Sequence, residues 1–242
     1  MELSVVIPVY NEKGTVLELL ERVRAVALDK EIIIVDNCST DGTREIVQGV
    51  RYPEVRTILQ PRNMQKGNSV KRGLAEARGE FVVIQDADLE YDPQDHVPLL
   101  AEARREGVLA VFGSRILGAR QRGGKLPGTI FSFGREAITA VFRALYGSSL
   151  TDIATCYKLM RADVARALDL RCDGFDLDFE IACKLTRLAG RRGMRVVEVP
   201  VHYTPRTTAE GKKINWRDGL AGLAAVLRYR FWKPRSGGPD TG

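Results

Sequence analysis

Five short apolar runs, separated by stretches of helical periodicity, constrain this chain more than any other feature. They cover residues 3–9 (LSVVIPV), 31–35 (EIIIV), 55–59 (VRTIL), 81–85 (FVVIQ) and 108–112 (VLAVF). Runs that are apolar throughout suit strands covered on both faces, which is the condition of a parallel sheet. The intervening segments carry apolar residues on one helical face, as at Val16, Leu19, Leu20 and Val23. Strands alternating with helices at this spacing predict an α/β fold with a largely parallel, doubly wound sheet. The 242 residues are enough for one large α/β domain with its own core. No internal repeat or linker divides residues 1–232, and the Gly/Pro-rich stretch 233–242 reads as a flexible tail.

Beyond residue 113 the pattern changes. Residues 115–128 are basic and glycine-rich, which predicts a mobile loop. Residues 129–146 predict a helix with Ile130, Phe131, Ile138, Val141, Phe142 and Leu145 on its apolar side. A helix over 176–189 and a strand over 195–199 follow, and then a last helix over 215–232. That helix carries Trp216, Leu220, Leu223, Leu227 and Phe231 at spacings of three and four.

A net charge of +6 favours an anionic partner, which leaves nucleic acid, a phosphorylated substrate or an acidic membrane surface. No helix-turn-helix, RNP-like or zinc-finger pattern is present, so nucleic acid ranks last. Cys38, Cys156, Cys172 and Cys183 form no CxxC pair, which argues against structural zinc and a disulfide framework and fits a reducing cytoplasm. His96 and His202 stand alone and read as ordinary core or surface histidines. The opening MELSVVIPVY lacks the basic start of a leader. No apolar run approaches the roughly 18–20 residues that span a bilayer.

The chemistry concentrates at Gln85-Asp86-Ala87-Asp88, where the fourth apolar run ends. Two carboxylates one residue apart suit a single hard divalent cation, since magnesium is usually held by one or two carboxylates plus substrate phosphates. The plain alternative is an acidic turn. Carboxyl ends of parallel strands share one sheet edge, where such folds bind ligands. Pro8-Val9-Tyr10-Asn11-Glu12, the Asp36–Asp41 stretch and Asp86/Asp88 therefore converge on one cleft. Asp36 can accept hydrogen bonds from a base N–H or a ribose hydroxyl, while Asp41 before Gly42 reads better as a turn former.

With these pieces in order, the sequence resembles the family 2 glycosyltransferases, which have the Rossmann-like GT-A fold. The matching stretches are VVIPVYNE (5–12), IVDNCSTDGT (34–43), RNMQKGNSVKRG (62–73), QDADLEYDP (85–93) and GSR (113–115). The resemblance implies a nucleotide-sugar-binding half over 1–115 and an acceptor-binding half over 116–232. It implies that Pro8, Tyr10, Glu12, Asp36, Lys66, Asp86, Ala87 and Asp88 border the nucleotide sugar. It also implies that Asp86 and Asp88 form a DxD motif for Mg²⁺ or Mn²⁺ and the diphosphate. Asn37-Cys38 departs from the family, which usually has an acid and a glycine there. TDIATCYKLMR (151–161), FDLDFEIACKL (175–185) and VPVHYTPRTTAEGKKINWRDG (199–219) look like the polyprenyl-phosphate branch, similar to dolichol-phosphate mannose synthases.

That branch implies transfer of a sugar from a GDP-mannose or UDP-glucose type donor to polyprenyl phosphate. A sugar hydroxyl acceptor needs a general base, whereas a phosphate monoester is already ionised near pH 7 and needs cations to position it. Arg115, Arg135, Arg206, Lys212 and Lys213 are candidates for that task, with Arg115 also a candidate catalytic group beside Asp88. Asp178 or Glu180 can hold sugar hydroxyls, or serve as a base if the acceptor is a hydroxyl. Helices 129–146 and 215–232 combine apolar stripes with cations, which suits peripheral contact with an anionic membrane at its cytoplasmic face; packing on the sheet is the alternative. Two other readings remain: a transferase with a soluble or saccharide acceptor, and a nucleotide-binding module without turnover.

Overall fold

The computed structural model describes residues 1–126, 130–206 and 216–234, with only the backbone given for 130–132. The strands are β1 (Leu3–Val9), β2 (Lys30–Asp36), β3 (Val55–Leu59), β4 (Phe81–Ile84), β5 (Val108–Ser114), β6 (Lys158–Arg161) and β7 (Arg195–Pro200). In the first half the helices are α1 (Val16–Ala25), α2 (Thr43–Gly49), α3 (Gln65–Glu76), α4 (His96–Ala103) and α5 (Arg115–Gln121). In the second half they are α6 (Ile130–Tyr146), α7 (Ala162–Ala167), α8 (Leu177–Arg192) and α9 (Trp216–Arg228).

The strands form one seven-stranded sheet in the order β3-β2-β1-β4-β6-β5-β7. β6 runs antiparallel to both β4 and β5, and every other pairing is parallel. The carboxyl ends of β1, β2, β4, β5 and β7 therefore lie on one edge, and the amino end of β6 lies there too. β4 pairs on the far side of β1 from β2, so the strand order reverses at β1, where sheets of this kind bind ligands.

Alternate residues of the central strands feed two cores. Leu3, Val5 and Ile7 meet α1 and α4 through Leu19, Leu20, Val23, Leu99 and Leu100. Val6, Ile33, Val35, Val82 and Ile84 share the opposite core with Val70 and Leu74 of α3, Phe142 of α6 and Ile181 and Leu185 of α8. Each such side chain, fully buried, contributes about 1.5–3 kcal/mol, so the sheet is held from both sides and its loop edge rests on a rigid floor.

Three segments differ from the expectations. Residues 115–121 form α5 rather than a loop, because the Ser114 hydroxyl accepts the Leu117 N–H at 3.1 Å and caps the helix. Gly118 lets this helix lie against the chain after β7, since a Cβ there would sit 2.0 Å from the Val201 carbonyl oxygen. β6 and α7 fall in a stretch for which the sequence predicted neither. The last helix closes at Arg228, followed by a 3-10 turn at Tyr229–Phe231. Residues 122–126 form a turn and irregular chain, as expected of a loop, while 127–128, the first residue of the 215–232 helix, Lys212, Lys213 and most of the tail lie outside the described residues.

Candidate active site

The loop edge is built by interlocking turns. After β1, the Asn11 N–H donates to the Ser39 hydroxyl (3.0 Å), and the Thr40 N–H donates to the Asn11 side chain (2.9 Å). The Glu12 N–H donates to the Thr43 hydroxyl at 2.9 Å, which staples the β1 and β2 loops together. Asn37 spans to the start of α3, donating to Asn63 Oδ1 (2.9 Å) and accepting from the Met64 N–H (2.8 Å). Backbone strain collects here. Asn11 (φ 52°), Cys38 (62°), Gln65 (70°) and Leu89 (61°) are all left-handed without being glycine. Such residues cost of order 1–3 kcal/mol each and persist where surrounding contacts over-determine them, which is common at functional sites. The left-handed geometry at position 38 favours a glycine, and Cys38 occupies it under strain.

Asp36 is fully buried at the end of β2, accepts the Ser39 N–H at 3.2 Å and faces Arg44 at 3.2 Å. Pro8 lies within β1 and Tyr10 directly follows it, both half-buried at the same edge.

β4 ends two residues before Asp86. Below it, the Tyr157 hydroxyl donates to Gln85 Oε1 at 2.6 Å, and the Tyr157 ring lies 5.2 Å from that of the buried His96. Ala87 is buried, and the carboxylates flanking it meet different cations. Lys66 Nζ straddles Asp86, at 2.7 and 2.8 Å from its two oxygens. Asp88 accepts the Glu90 N–H at 3.1 Å and lies 3.5 Å from Arg206. Burial, the Asp86 charge and the Glu90 charge push the Asp88 carboxyl up to about 7. Among the described residues no three His, Cys, Asp or Glu side chains form a metal cage. Two carboxylates without a cage are the donor set that Mg²⁺ or Mn²⁺ uses together with substrate phosphates, so the residues fit that ion.

The segment after β7 closes over this edge. Arg206 donates to both Glu12 oxygens (3.0 and 3.1 Å), and its N–H meets Glu90 at 2.7 Å. The Tyr203 hydroxyl donates to the other Glu90 oxygen at 2.8 Å. Arg206 thus bridges the predicted nucleotide loop and the DxD turn.

A second cationic cluster stands at the end of β5. Arg115 donates to both oxygens of fully buried Asp152 at 2.7 Å and lies 5.2 Å from the Tyr203 ring. Burial works against the Arg115 charge, but Asp152 outweighs it and holds the guanidinium well above its usual range. Arg135 on α6 is half-buried, and burial and then the Arg115 charge lower its pKa. Its Nε and Nη2 are buried without a hydrogen-bond partner. Asp152 takes the Arg115 fork, while Arg135 Nη2 faces Glu136 at 3.6 Å, beyond hydrogen-bond distance.

Glu180 is not brought to this edge. It is fully buried on α8, pairs with Lys184 at 2.6 Å and accepts the N–H groups of Arg171 and Cys172 at 2.7–3.0 Å. Burial alone would raise it, yet Lys184 and these N–H groups hold it below the usual carboxylate range. The candidacy of Glu180 as a catalytic group is corrected on that ground: it fastens the 171–172 loop to α8. The sequence reading did not single out Glu90, Asp152, Lys158 and Tyr203. Asp152 and Lys158 lie inside the 151–161 motif, which reaches the site only because β6 runs antiparallel and starts at the loop edge.

Residues 4–168 match the family model described as Glycosyl transferase family 2. A dolichol-phosphate mannosyltransferase of Pyrococcus furiosus is 30% identical over 247 residues, covering 96% of this chain and 65% of that one. An undecaprenyl-phosphate mannosyltransferase of Micrococcus luteus is 28% identical, covering 96% of this chain and 94% of that one. Among solved structures, mannosyl-3-phosphoglycerate synthase from Rubrobacter xylanophilus matches with TM-score 0.72 at 18% identity, over 99% of this chain and 78% of that one. Glucosyl-3-phosphoglycerate synthase from Mycobacterium tuberculosis, in complex with Mn²⁺, UDP-glucose and glycerol 3-phosphate, matches with TM-score 0.68 at 20% identity, over 98% and 82%. These two structures share the fold. With the sheet, the strand-end loops and the acidic pair arranged as described, the chain belongs to glycosyl transferase family 2.

Proposed function

We propose that this glycosyltransferase moves a sugar from a nucleoside diphosphate sugar, of the GDP-mannose or UDP-glucose type, to the phosphate of a polyprenyl phosphate. The observation that carries the reading is the Arg115–Arg135 cluster, where Nε and Nη2 of Arg135 are buried without a hydrogen bond beside the Asp152-paired Arg115. Phosphate oxygens can accept from those open donors, and Arg forks grip phosphate oxygens well. The curated relatives named for dolichol and undecaprenyl phosphate support the same acceptor class.

The two carboxylates considered as bases also favour a phosphate acceptor over a hydroxyl. Burial would raise Asp178, but Lys158 and Lys66 hold it below its usual range, and Glu180 is likewise held low by Lys184. Carboxylates so stabilised are poor proton acceptors near neutral pH. An ionised phosphate oxygen needs no base. It attacks the anomeric carbon from the face opposite the nucleotide; the new C–O bond forms as the bond to the diphosphate breaks, and the configuration inverts.

Asp86 and Asp88 would hold Mg²⁺ or Mn²⁺, which supplies positive charge for the departing diphosphate. Arg206, already bridging Glu12 and Asp88, orients the segment that closes over the donor. Pro8, Tyr10, Glu12 and Asp36 border the nucleotide in this reading.

Peripheral membrane contact is part of the proposal. No helix among the described residues is long and apolar enough to cross a membrane. Phe133 on α6 is 69% exposed, Trp216 on α9 is 66% exposed, and Phe231 just beyond α9 is 80% exposed. Arg217, Arg228, Arg230 and Lys233 lie beside them in the sequence, a mixture suited to an anionic interface on the cytoplasmic side.

The test is to incubate the protein and Mn²⁺ with a panel of labelled nucleotide sugars, with and without a short polyprenyl phosphate. Label that enters the organic phase only when the lipid phosphate is present supports the proposal. Label that stays in the aqueous phase while a saccharide acceptor is glycosylated refutes it.

A further inference from the structure

Four charged side chains run in alternating sign from the core to the acidic pair, and three of them lie outside that pair. Lys158, at the start of β6, is fully buried. Its ammonium donates to Asp178 at 2.8 Å and to the Thr155 carbonyl. Asp178, near the amino end of α8, lies 3.6 Å from Lys66 through its other oxygen. Lys66, in the first turn of α3, straddles both oxygens of Asp86. The row sums to zero charge, which is how buried charges persist. Lys66 lies between the Asp86 and Asp178 carboxylates, an arrangement that suits an ammonium ion.

The geometry has a consequence for Asp86. A carboxylate has two oxygens, and Lys66 engages both of them. Any cation that binds Asp86 must share them with the ammonium or take its place. The second carboxylate that Lys66 already faces is Asp178, and the Phe175 ring lies 5.4 Å from its nitrogen. Lys158 keeps Asp178 ionised from below, so a negative charge waits at the far end of a short swing. Gly67 seats the turn that carries Lys66 directly on the 173–174 loop, since a Cβ there would lie 2.7 Å from the Asp173 carbonyl carbon. The Lys66 backbone is thereby anchored while its long side chain retains its reach.

We infer that Lys66 is a positioning residue: an internal cation that holds Asp86 ready and competes with the divalent ion for it, with the buried Asp178–Lys158 pair as the seat to which it withdraws. This rests on the metal-binding role of Asp86 and Asp88 proposed above. It differs from a role for Lys66 as a simple diphosphate ligand, because it acts before any nucleotide arrives.

The test is Mn²⁺ binding to the full chain without nucleotide, read from the paramagnetic resonance signal of free Mn²⁺. Lys66→Met keeps the length of the side chain and removes the competitor. Because a charge-assisted hydrogen bond is lost as the rival for Asp86, Mn²⁺ should bind roughly tenfold more tightly. Lys66→Arg retains a cation and should stay near wild type. Asp178→Asn removes the seat, so Lys66 should hold Asp86 harder and Mn²⁺ should bind more weakly. Circular dichroism checks that each variant is folded, and Lys66→Met decides the matter if Asp178→Asn does not fold. Unchanged or weaker Mn²⁺ binding in folded Lys66→Met overturns the inference and leaves the metal role of the acidic pair standing. Failure of both wild type and Lys66→Met to take up Mn²⁺ even after a nucleoside diphosphate is added overturns both.

Discussion

His96 offers a quantitative prediction about the floor beneath the acidic pair. Its ring is fully buried, neither nitrogen has a hydrogen-bond partner, and burial pushes its pKa down to about 3. In the unfolded chain a histidine titrates near 6.5. Between those values the unfolded state binds a proton that the folded state refuses, so stability falls as pH drops below about 6.5. Linkage gives a loss of about 0.2 kcal/mol at pH 7 and about 2 kcal/mol at pH 5, a difference of about 2 kcal/mol. His96→Phe removes this contribution. Urea unfolding of wild type and variant at both pH values isolates it, because any packing change from the new ring cancels when each protein is compared with itself. The wild type should lose about 2 kcal/mol more than the variant between pH 7 and pH 5. Equal losses would refute the reasoning and mean that the folded protein protonates His96 at ordinary cost.

Other consequences are equally direct. Arg135→Met should raise the KM for polyprenyl phosphate at least tenfold, given about 1.5–3 kcal/mol for a charged hydrogen bond, while the donor KM moves little; steady-state kinetics with each substrate varied separately checks this. Cys38→Gly should stabilise the fold by about 1 kcal/mol, since it relieves a left-handed residue at φ 62°, and a higher urea midpoint would show it. Glu180→Gln should cost about 3 kcal/mol by leaving the buried Lys184 ammonium without a counter-charge, held only by the Leu168 and Asp169 carbonyls. The loss should appear in chemical denaturation, whereas the kcat of the folded fraction stays at the wild-type value.

The first half of the fold is legible in the sequence for a physical reason. Its strands are buried on both faces, so each is a continuous apolar run bounded by turn residues, and parallel connections place their ends on one edge. That is why the sequence places Asp36 and Asp86/Asp88 on the same sheet edge, as the topology has them. The second half hides its topology. β6 is four residues long and begins with a lysine, Lys158, that is buried only because Asp178 reaches it from α8. Nothing local in Lys158-Leu159-Met160-Arg161 specifies an antiparallel strand between β4 and β5. The contributions of Asp152 and Lys158 follow from that insertion and were invisible with it. α5 was obscured by its arginines and glycine, although Ser114 is a regular cap. Glu180 looked chemical because the helix period alone does not reveal which face meets the 171–172 loop.

The central claim is that Asp86 and Asp88 hold a divalent cation that the transfer requires. The most direct measurement is the initial rate of sugar transfer to polyprenyl phosphate by chelator-stripped protein as Mn²⁺ is restored, for wild type and for Asp88→Asn. The wild type should be silent without metal and recover with added Mn²⁺, while the variant stays at background at every Mn²⁺ concentration. Full wild-type activity in chelator, or an amide variant that works as fast as the acid, would contradict the account.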